Sequence, residues 1–150
     1  KNPQNIYKSI DQLQNENTRL KKEINKFKIL QSKALIDEIK SEIEEIRGVA
    51  FLAKSLDLDA QSIKDLSFEL GKLYDNLFLI IGSSEGGKAI LSCYISKFLV
   101  SEKAFNASKV VRELGKFING SGGGQAFFAT AGGKNLNGIQ AALTASKHLI

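Results

Sequence analysis

The sequence predicts an α+β fold in which a long N-terminal helical arm precedes a small mixed β-sheet with helices packed on it. Two observations support this prediction. The first third of the chain repeats mostly apolar residues at alternating spacings of four and three, which is coiled-coil spacing. The remainder alternates short apolar runs with amphipathic stretches in the order β-α-β-β-α-β-α. We therefore place a helical arm, with coiled-coil character, in residues 1–47 and a globular α/β domain with a glycine-rich loop in residues 48–150.

The arm is predicted to be helical from about residue 5 to residue 47 and to carry two apolar seams. The first seam follows alternating spacings of four and three and consists of Ile6, Ile10, Leu13, Asn17, Leu20, Ile24, Phe27, Gln31 and Ala34. The second seam is out of phase with it and consists of Ile36, Ile39, Ile43 and Ile46. The change of phase near residues 31–35 predicts a bend, a new packing partner or a turn between two helices. Because one helix cannot bury such a stripe, we expect either a homodimer through residues 6–46 or packing against another domain.

The first half of the globular part is predicted from runs of apolar residues and one helix cap. Residues 48–53 form a short strand, and Asp59 caps a helix that runs to about Tyr74. Residues 76–81 are continuously apolar, which is typical of a strand buried on both faces. Residues 88–95 are expected to form the next strand, antiparallel to the preceding one.

The segment that joins these two strands has two interpretations. Residues 82–88 match G-x-x-x-x-G-K, the phosphate-binding loop of many nucleotide hydrolases. Ala89, however, stands where a Ser or Thr hydroxyl binds Mg²⁺, and residues 90–95 are β-branched and aromatic rather than an amphipathic helix. We therefore predict a hairpin turn and no nucleotide site.

The C-terminal half contains the glycine-rich segment that is most informative about function. A helix is predicted over residues 108–118, a last strand over 125–130, and a terminal helix from residue 136 or 137. Between the first two lies a glycine-rich loop that begins at residue 120 and includes Gly122, Gly123 and Gly124. Glycine loses more backbone entropy on folding than any other residue, so this run indicates close approach of a ligand to the backbone. A tight turn into a crowded strand is the alternative.

The net charge of +5 is spread unevenly. Residues 86–150 contain eight Lys and Arg against two Asp and Glu, whereas residues 48–85 have a net charge of −3 and residues 1–47 of +2. A polyanion such as RNA is the natural partner of a basic surface next to a glycine-rich loop. A solvated lysine-rich face is the alternative interpretation.

The candidate nucleic-acid-binding residues surround this loop. Lys109, Arg112 and Lys116 are three and four positions apart and so share one helix face. Phe127 and Phe128 are expected on opposite faces of a strand, which leaves one of them free to stack on a base. The complete predicted set is Lys97, Lys109, Arg112, Lys116, Gly122, Gly123, Gly124, Gln125 and Lys134.

The sequence contains no constellation that predicts catalysis or metal binding. Cys93 is the only cysteine and His148 the only histidine, which excludes an internal disulfide and the usual zinc site. No apolar run approaches the roughly 18 residues that span a bilayer. The chain also lacks methionine, so we expect it to be part of a longer protein.

The glycine spacing resembles a known signature. G-x-G-G-G over residues 120–124, followed by A-x-A-G-G over residues 129–133, is similar to the end of the C-terminal (DHHA1-type) domain of alanyl-tRNA synthetases. The similarity continues through residues 106–116 and, more weakly, back to about Arg47. The synthetase pattern usually has Arg or Lys after the triple glycine, and DHH-type phosphoesterases have His. This chain has Gln125 there, a hydrogen-bond donor without charge.

The resemblance implies a catalytically silent, cytoplasmic part of an alanine–tRNA ligase. In that family the domain binds the outer corner of alanine-specific tRNA and supports cooperation between aminoacylation and editing, together with the other domains of the parent enzyme. ATP and Mg²⁺ then belong only to the catalytic domain of the parent. Two alternatives stay open: a dimerisation module that binds no RNA, and the substrate-binding domain of a DHH-type phosphoesterase, whose Asp-His-His motif is absent from this sequence.

Overall fold

The computed structural model of the chain describes residues 3–150, apart from the side chains of residues 28–30 and 32. Lys1 and Asn2, which belong to the predicted arm, lie outside the described residues. The chain divides into two compact units, residues 1–41 and residues 42–150.

The first unit is formed by one long helix, α1 (Pro3–Glu42). This helix is continuous through residues 31–35, which excludes a turn between two helices as the cause of the phase change in the seams. Those residues are Gln, Ser, Lys, Ala and Leu, with neither Gly nor Pro to interrupt the helix. The large apolar side chains of the first seam are exposed: Ile6, Ile10, Leu13, Leu20, Ile24 and Phe27.

The predicted C-terminal end of the helical arm is wrong. Helix α1 ends at Glu42, and Glu44–Ile46 form strand β1, which pairs antiparallel with β2 (Val49–Ser55). Arg47 and Gly48 connect the two strands with φ values of 52° and 79°. A two-residue turn with positive φ at both positions matches the twist of a β-hairpin, so this turn reverses the chain where helical spacing alone predicted continuation.

The second unit contains a six-stranded mixed sheet in the order β1-β2-β3-β4-β6-β5. Strands β2 and β3 are parallel and joined by helix α2 (Ala60–Leu73), and all other neighbours are antiparallel. The predicted α+β class, with a long N-terminal helix and a mixed sheet with packed helices, is confirmed. The remaining strands are β3 (Leu77–Glu85), β4 (Lys88–Ile95), β5 (Gly120–Gly124) and β6 (Phe128–Gly133).

Helices cover both faces of the sheet. Cys93 of β4 belongs to the main core with helices α4 (Ala107–Gly115) and α5 (Ile139–Ser146), whereas the adjacent Tyr94 contacts Phe68 of α2 on the opposite face. A short helix, α3 (Lys97–Glu102), follows β4. Single 3₁₀ turns occur at Lys116–Ile118, Leu136–Gly138 and Lys147–Leu149.

The central hairpin agrees with the sequence-based prediction. Leu77 to Ile81 of β3 are at most 1% exposed, as expected for a strand that is covered on both faces. Gly86 and Gly87, with φ of 58° and 77°, form the turn to β4. Because β4 follows this turn directly, residues 82–88 form a hairpin and not a phosphate loop that opens a helix.

Two corrections concern the glycine-rich segment. Residues 120–124, which we predicted to be a loop, form β5, and the last strand runs from Phe128 to Gly133 rather than over 125–130. Only the connection of residues 125–127 remains outside the strands. A strand made almost entirely of glycine has no alternating side chains for a pattern to detect, and its pairing with β6 is what defines it.

We expect the cap of α2 to contribute measurably to stability. The Asp59 carboxylate accepts the Ser62 backbone N–H at 2.7 Å, so Asp59→Ala should lower the free energy of unfolding by about 1 kcal/mol. Urea denaturation followed by circular dichroism measures this change. Asp57→Ala removes the same charge from the preceding loop and should change stability by less than about 0.5 kcal/mol. Equal effects of the two variants would show that charge, not the cap, is responsible.

Candidate nucleic-acid interface

The candidate interface is formed by the β5–β6 hairpin and helix α4, which lies beside it. The Asn106 side chain caps α4 by accepting the Lys109 backbone N–H at 3.3 Å. The Ala107 N–H donates to the Ala126 carbonyl in the hairpin connection at 2.8 Å. At the other end of the helix, a Cβ atom on Gly115 would lie 3.2 Å from the Gly120 carbonyl oxygen. Helix α4 therefore runs along the whole of β5, in the opposite direction.

Three glycines of β5 are required because β6 lies so close. A Cβ atom at Gly120 or Gly122 would overlap a carbonyl oxygen of β6, that of Gly132 or Thr130. At Gly124, where φ is 154°, it would lie 2.7 Å from the Phe128 carbonyl oxygen. No side chain fits at these positions unless the two strands separate.

Gly123 differs from these three glycines. A Cβ atom there would meet only the Arg112 guanidinium (Nη2) and the Ser108 hydroxyl, both at 3.7 Å, which is ordinary van der Waals contact. Packing of the fold therefore does not require glycine at this position. The result is a small corner on the edge strand, bordered by a guanidinium, a hydroxyl and a backbone without a side chain.

The three basic residues predicted on one helix face are all exposed in the structure. Among the described residues, Arg112 has no ion-pair partner, so its guanidinium is available at the Gly123 corner. The Lys116 Nζ lies 3.7 Å from a carboxylate oxygen of Glu113. Both side chains are more than half exposed, and such surface ion pairs contribute little to stability. Lys109 lies in the first turn of the same helix.

Lys134 follows β6 at the end of the hairpin where Lys116 lies. The Asn135 backbone N–H donates to the Ile118 carbonyl at 3.0 Å, and the Asn135 side chain donates to the Phe117 carbonyl at 3.1 Å. The structure thus brings the segments that carry Lys116 and Lys134 together.

Lys97 and Gln125 lie at the opposite end of the hairpin. Lys97 begins α3, directly after β4, and the Ile95 N–H donates to the Phe127 carbonyl at 2.9 Å. Gln125 is exposed in the connection between β5 and β6, where its backbone N–H donates to Phe128. The predicted set therefore follows α4 and the hairpin from one end to the other instead of forming one cluster.

The expectation that Phe127 and Phe128 point to opposite faces is wrong. Both rings contact Phe68 of α2, with ring centroids 6.2 and 5.8 Å from that of Phe68. Phe127 precedes β6, so the alternation of a strand does not apply to it. Lys64 places its Nζ 5.9 Å from the centre of the Phe128 ring. These half-buried aromatic side chains attach the hairpin to α2.

Two exposed apolar side chains beside the lysines, Phe117 and Leu136, were not among the predicted site residues. Helix α4 ends at Gly115, and the 3₁₀ turn that follows buries Ile118 and exposes Phe117. The adjacent lysines are the only signal in the sequence that could have directed attention to Phe117.

The described residues contain neither a cluster of metal ligands nor a reactive thiol. No group of three or more His, Cys, Asp or Glu side chains among them could hold a metal ion. Cys93 is fully buried, and this burial raises the pKa of its thiol well above the usual value, which keeps the thiol protonated and unreactive. No helix in the described part of the chain is long and apolar enough to cross a membrane.

The two kinds of glycine in β5 predict different effects of the same substitution. Gly122→Ala should lower the free energy of unfolding by about 1–3 kcal/mol or more, because the added methyl group overlaps the backbone of β6. Gly123→Ala is the matched control and should leave stability unchanged or raise it by up to about 1 kcal/mol, because alanine loses less backbone entropy on folding and has room there. Thermal and urea denaturation of both variants test this difference. A destabilisation of the same size in both would contradict the close approach of β5 to β6.

Comparison with known proteins places this geometry in a family. Residues 48–150 match the DHHA1 domain family. The alanine–tRNA ligase of Christiangramia forsetii is 51% identical over 150 residues, which is 100% of this chain and 17% of that protein. The alanine–tRNA ligase of Flavobacterium psychrophilum is 46% identical over 143 residues, which is 95% of this chain and 16% of that protein. The chain therefore spans about one sixth of the length of these curated relatives.

A solved structure shares the fold. The C-Ala domain of Aquifex aeolicus alanyl-tRNA synthetase superimposes with a TM-score of 0.64 at 25% sequence identity, covering 71% of this chain and 95% of that domain. The match of residues 48–150, the glycine spacing in the β5–β6 hairpin and this shared fold agree with one another. The chain belongs to the DHHA1 domain family.

Proposed function

We propose that this chain is the C-terminal part of an alanine–tRNA ligase, and that its β5–β6 hairpin and helix α4 bind the outer corner of alanine-specific tRNA. The relatives that match it over its whole length carry that enzyme name. Binding there would support cooperation between aminoacylation and editing in the parent enzyme. Ligase chemistry, with its ATP and Mg²⁺, and a cytoplasmic location belong to the same proposal, since this chain corresponds to only 17% of such a relative.

The observation that carries the proposal is the corner formed by Arg112, Ser108 and Gly123. A phosphate group placed there meets a guanidinium and a hydroxyl, both of which donate hydrogen bonds, and hydrogen bonds between charged partners are the strong ones. Gly123 has no side chain, although the fold has room for one. Close approach of a nucleic-acid backbone gives a reason for glycine at this position that packing does not give.

The position of β5 in the sheet supports the same function. This strand is at the edge of the sheet, so one side of its backbone has no neighbouring strand. Lys109 in the first turn of α4 and Lys116 in the 3₁₀ turn directly after it extend the positive charge of Arg112. At one end Lys134 extends this charge, and at the other Lys97 and Gln125 offer further donors. A polyanion that lies along the hairpin would contact successive groups in this series.

Loss of the basic face should weaken RNA binding in a salt-dependent way. Each lysine or arginine that contacts a phosphate releases counterions on binding. The negative slope of log K, the association constant, against log salt concentration should therefore become shallower by about 0.7–0.9 for each contact that is lost. The triple change Lys109→Ala, Arg112→Ala, Lys116→Ala should therefore give weaker binding of alanine tRNA and a shallower slope. Fluorescence anisotropy from low to high KCl measures both quantities, and circular dichroism checks the fold.

The matched control removes the same charge from helix α1. Lys21, Lys22 and Lys26 are exposed there, and their triple change to alanine should leave the salt slope unchanged. If both triple variants bind equally well, the face of α4 is only solvated surface. That result would favour the alternative of a dimerisation module that binds no RNA.

We also propose that the chain forms a homodimer through the first seam of α1, residues 6–34, rather than through residues 6–46, because Glu44–Ile46 belong to the sheet. The supporting observation is the seam of exposed Ile, Leu and Phe side chains along α1, at spacings that bring them to one stripe. Leu20 is 44% exposed near the middle of this stripe. Pairing of two such helices would bury the stripe, and the polar Asn17 and Gln31 would fix the register.

A charge in the seam should separate the dimer. In Leu20→Lys the ammonium group would have to be buried between two helices, so we expect a monomer by light scattering where the parent chain is a dimer. Lys22→Ala changes an exposed residue outside the seam and should leave the dimer intact. A monomeric parent chain at high concentration would contradict the proposal.

A further inference from the structure

Asn135 joins two surface segments that are separate in sequence, Lys116–Ile118 and residues 134–136. Its backbone N–H donates to Ile118 and its side-chain amide to Phe117, both to carbonyl oxygens. Glycines hold the two segments at this distance, because a Cβ atom at Gly133 or Gly138 would overlap the carbonyl oxygen of Ile118 or Phe117. The backbone of both segments is therefore firmly positioned.

Both joined segments carry exposed basic and apolar side chains. Each segment carries an exposed lysine and, one or two residues later, a large apolar side chain: Lys116 precedes Phe117, and Lys134 precedes Leu136. Phe117 is 42% exposed and Leu136 is 43% exposed. Single exposed apolar residues are common on protein surfaces. Here, however, two of them come from segments that the fold joins by hydrogen bonds, and both are next to lysines of the basic surface.

We propose that Phe117 and Leu136 form a stacking platform for a base of the bound RNA, with Lys116 and Lys134 contacting the phosphates on either side of it. This proposal rests on the proposed function and specifies which kind of RNA structure binds. Base faces are accessible in loops, bulges and chain ends, whereas in an A-form helix they are covered by their neighbours. The platform therefore selects RNA that exposes a base, such as the loops at the corner of a tRNA, over the shaft of a duplex.

The test uses the 150-residue chain and an alanine tRNA transcript that carries 2-aminopurine at one corner-loop position at a time. Base–aromatic stacking predicts that Phe117→Ala binds roughly five- to one-hundredfold more weakly, with an unchanged salt slope because no charge is lost. The parent chain should quench the fluorescence of at least one labelled position, and Phe117→Ala should not. Leu136→Ala should weaken binding in the same direction, and Phe117→Tyr should retain both affinity and quenching.

Phe98→Ala is the matched control. Phe98 is 53% exposed and follows Lys97 at the other end of the hairpin, so its loss should leave the quenching unchanged. The platform is overturned if Phe117→Ala binds and quenches like the parent, if Phe117→Tyr loses affinity as strongly as Phe117→Ala, or if Phe98→Ala has the same effect. If Phe117→Ala leaves affinity and quenching unchanged but the triple change Lys109→Ala, Arg112→Ala, Lys116→Ala weakens binding, the proposed function stands and only the platform fails. If neither Phe117→Ala nor the triple change weakens binding, both proposals fail.

Discussion

The close approach of β5 to β6 is the constraint on which the rest of this surface depends. Gly120, Gly122 and Gly124 leave no space between the two strands that a side chain could occupy. A strand of this kind contributes almost no apolar surface of its own, and each glycine costs about 0.5–1 kcal/mol relative to alanine in an ordered strand. Its position therefore depends on the hydrogen bonds to β6 and on the helix beside it.

Helix α4 supplies the packing that β5 lacks. Val111 and Leu114 belong to the same buried core as Ala129 and Ala131 of β6, whose small side chains let the helix lie close to the sheet. Because β5 has no bulky side chains either, Arg112 on the exposed side of the helix reaches the edge strand at Gly123. The same small residues that permit the packing thus bring a basic helix face and a bare backbone together.

This arrangement separates glycines that maintain the fold from one that is free to serve binding. The separation follows from geometry, since three positions point at the backbone of β6 and one points at the Arg112 and Ser108 side chains. Glycines also permit a close approach at the end of the hairpin where β6 finishes. Gly133 and Gly138 allow the Asn135 segment to reach the carbonyl groups of the turn Lys116–Ile118, which orients Phe117 outward.

Local sequence patterns determined much of the fold. The heptad spacing specified a long helix, and Asp59 marked the start of α2. The apolar run at 76–81 marked a doubly covered strand, and residues 82–88 marked a hairpin. Such features depend on residues a few positions apart, so they can be predicted from local composition and periodicity. The basic character of the last third and the glycine spacing were equally visible in the sequence.

Tertiary structure alone decided the rest, because the deciding contacts join residues that are distant in sequence or carry no side-chain pattern. Strand β5 exists only through its pairing with β6, and helix α1 ends where β1 finds a partner in β2. The sequence placed Lys116 and Lys134 in the same basic third, but the hydrogen bonds of Asn135 determined that their segments meet. Which glycine of the run is free for a ligand depends on what a side chain would meet in space, and the order of residues along the chain does not contain that information.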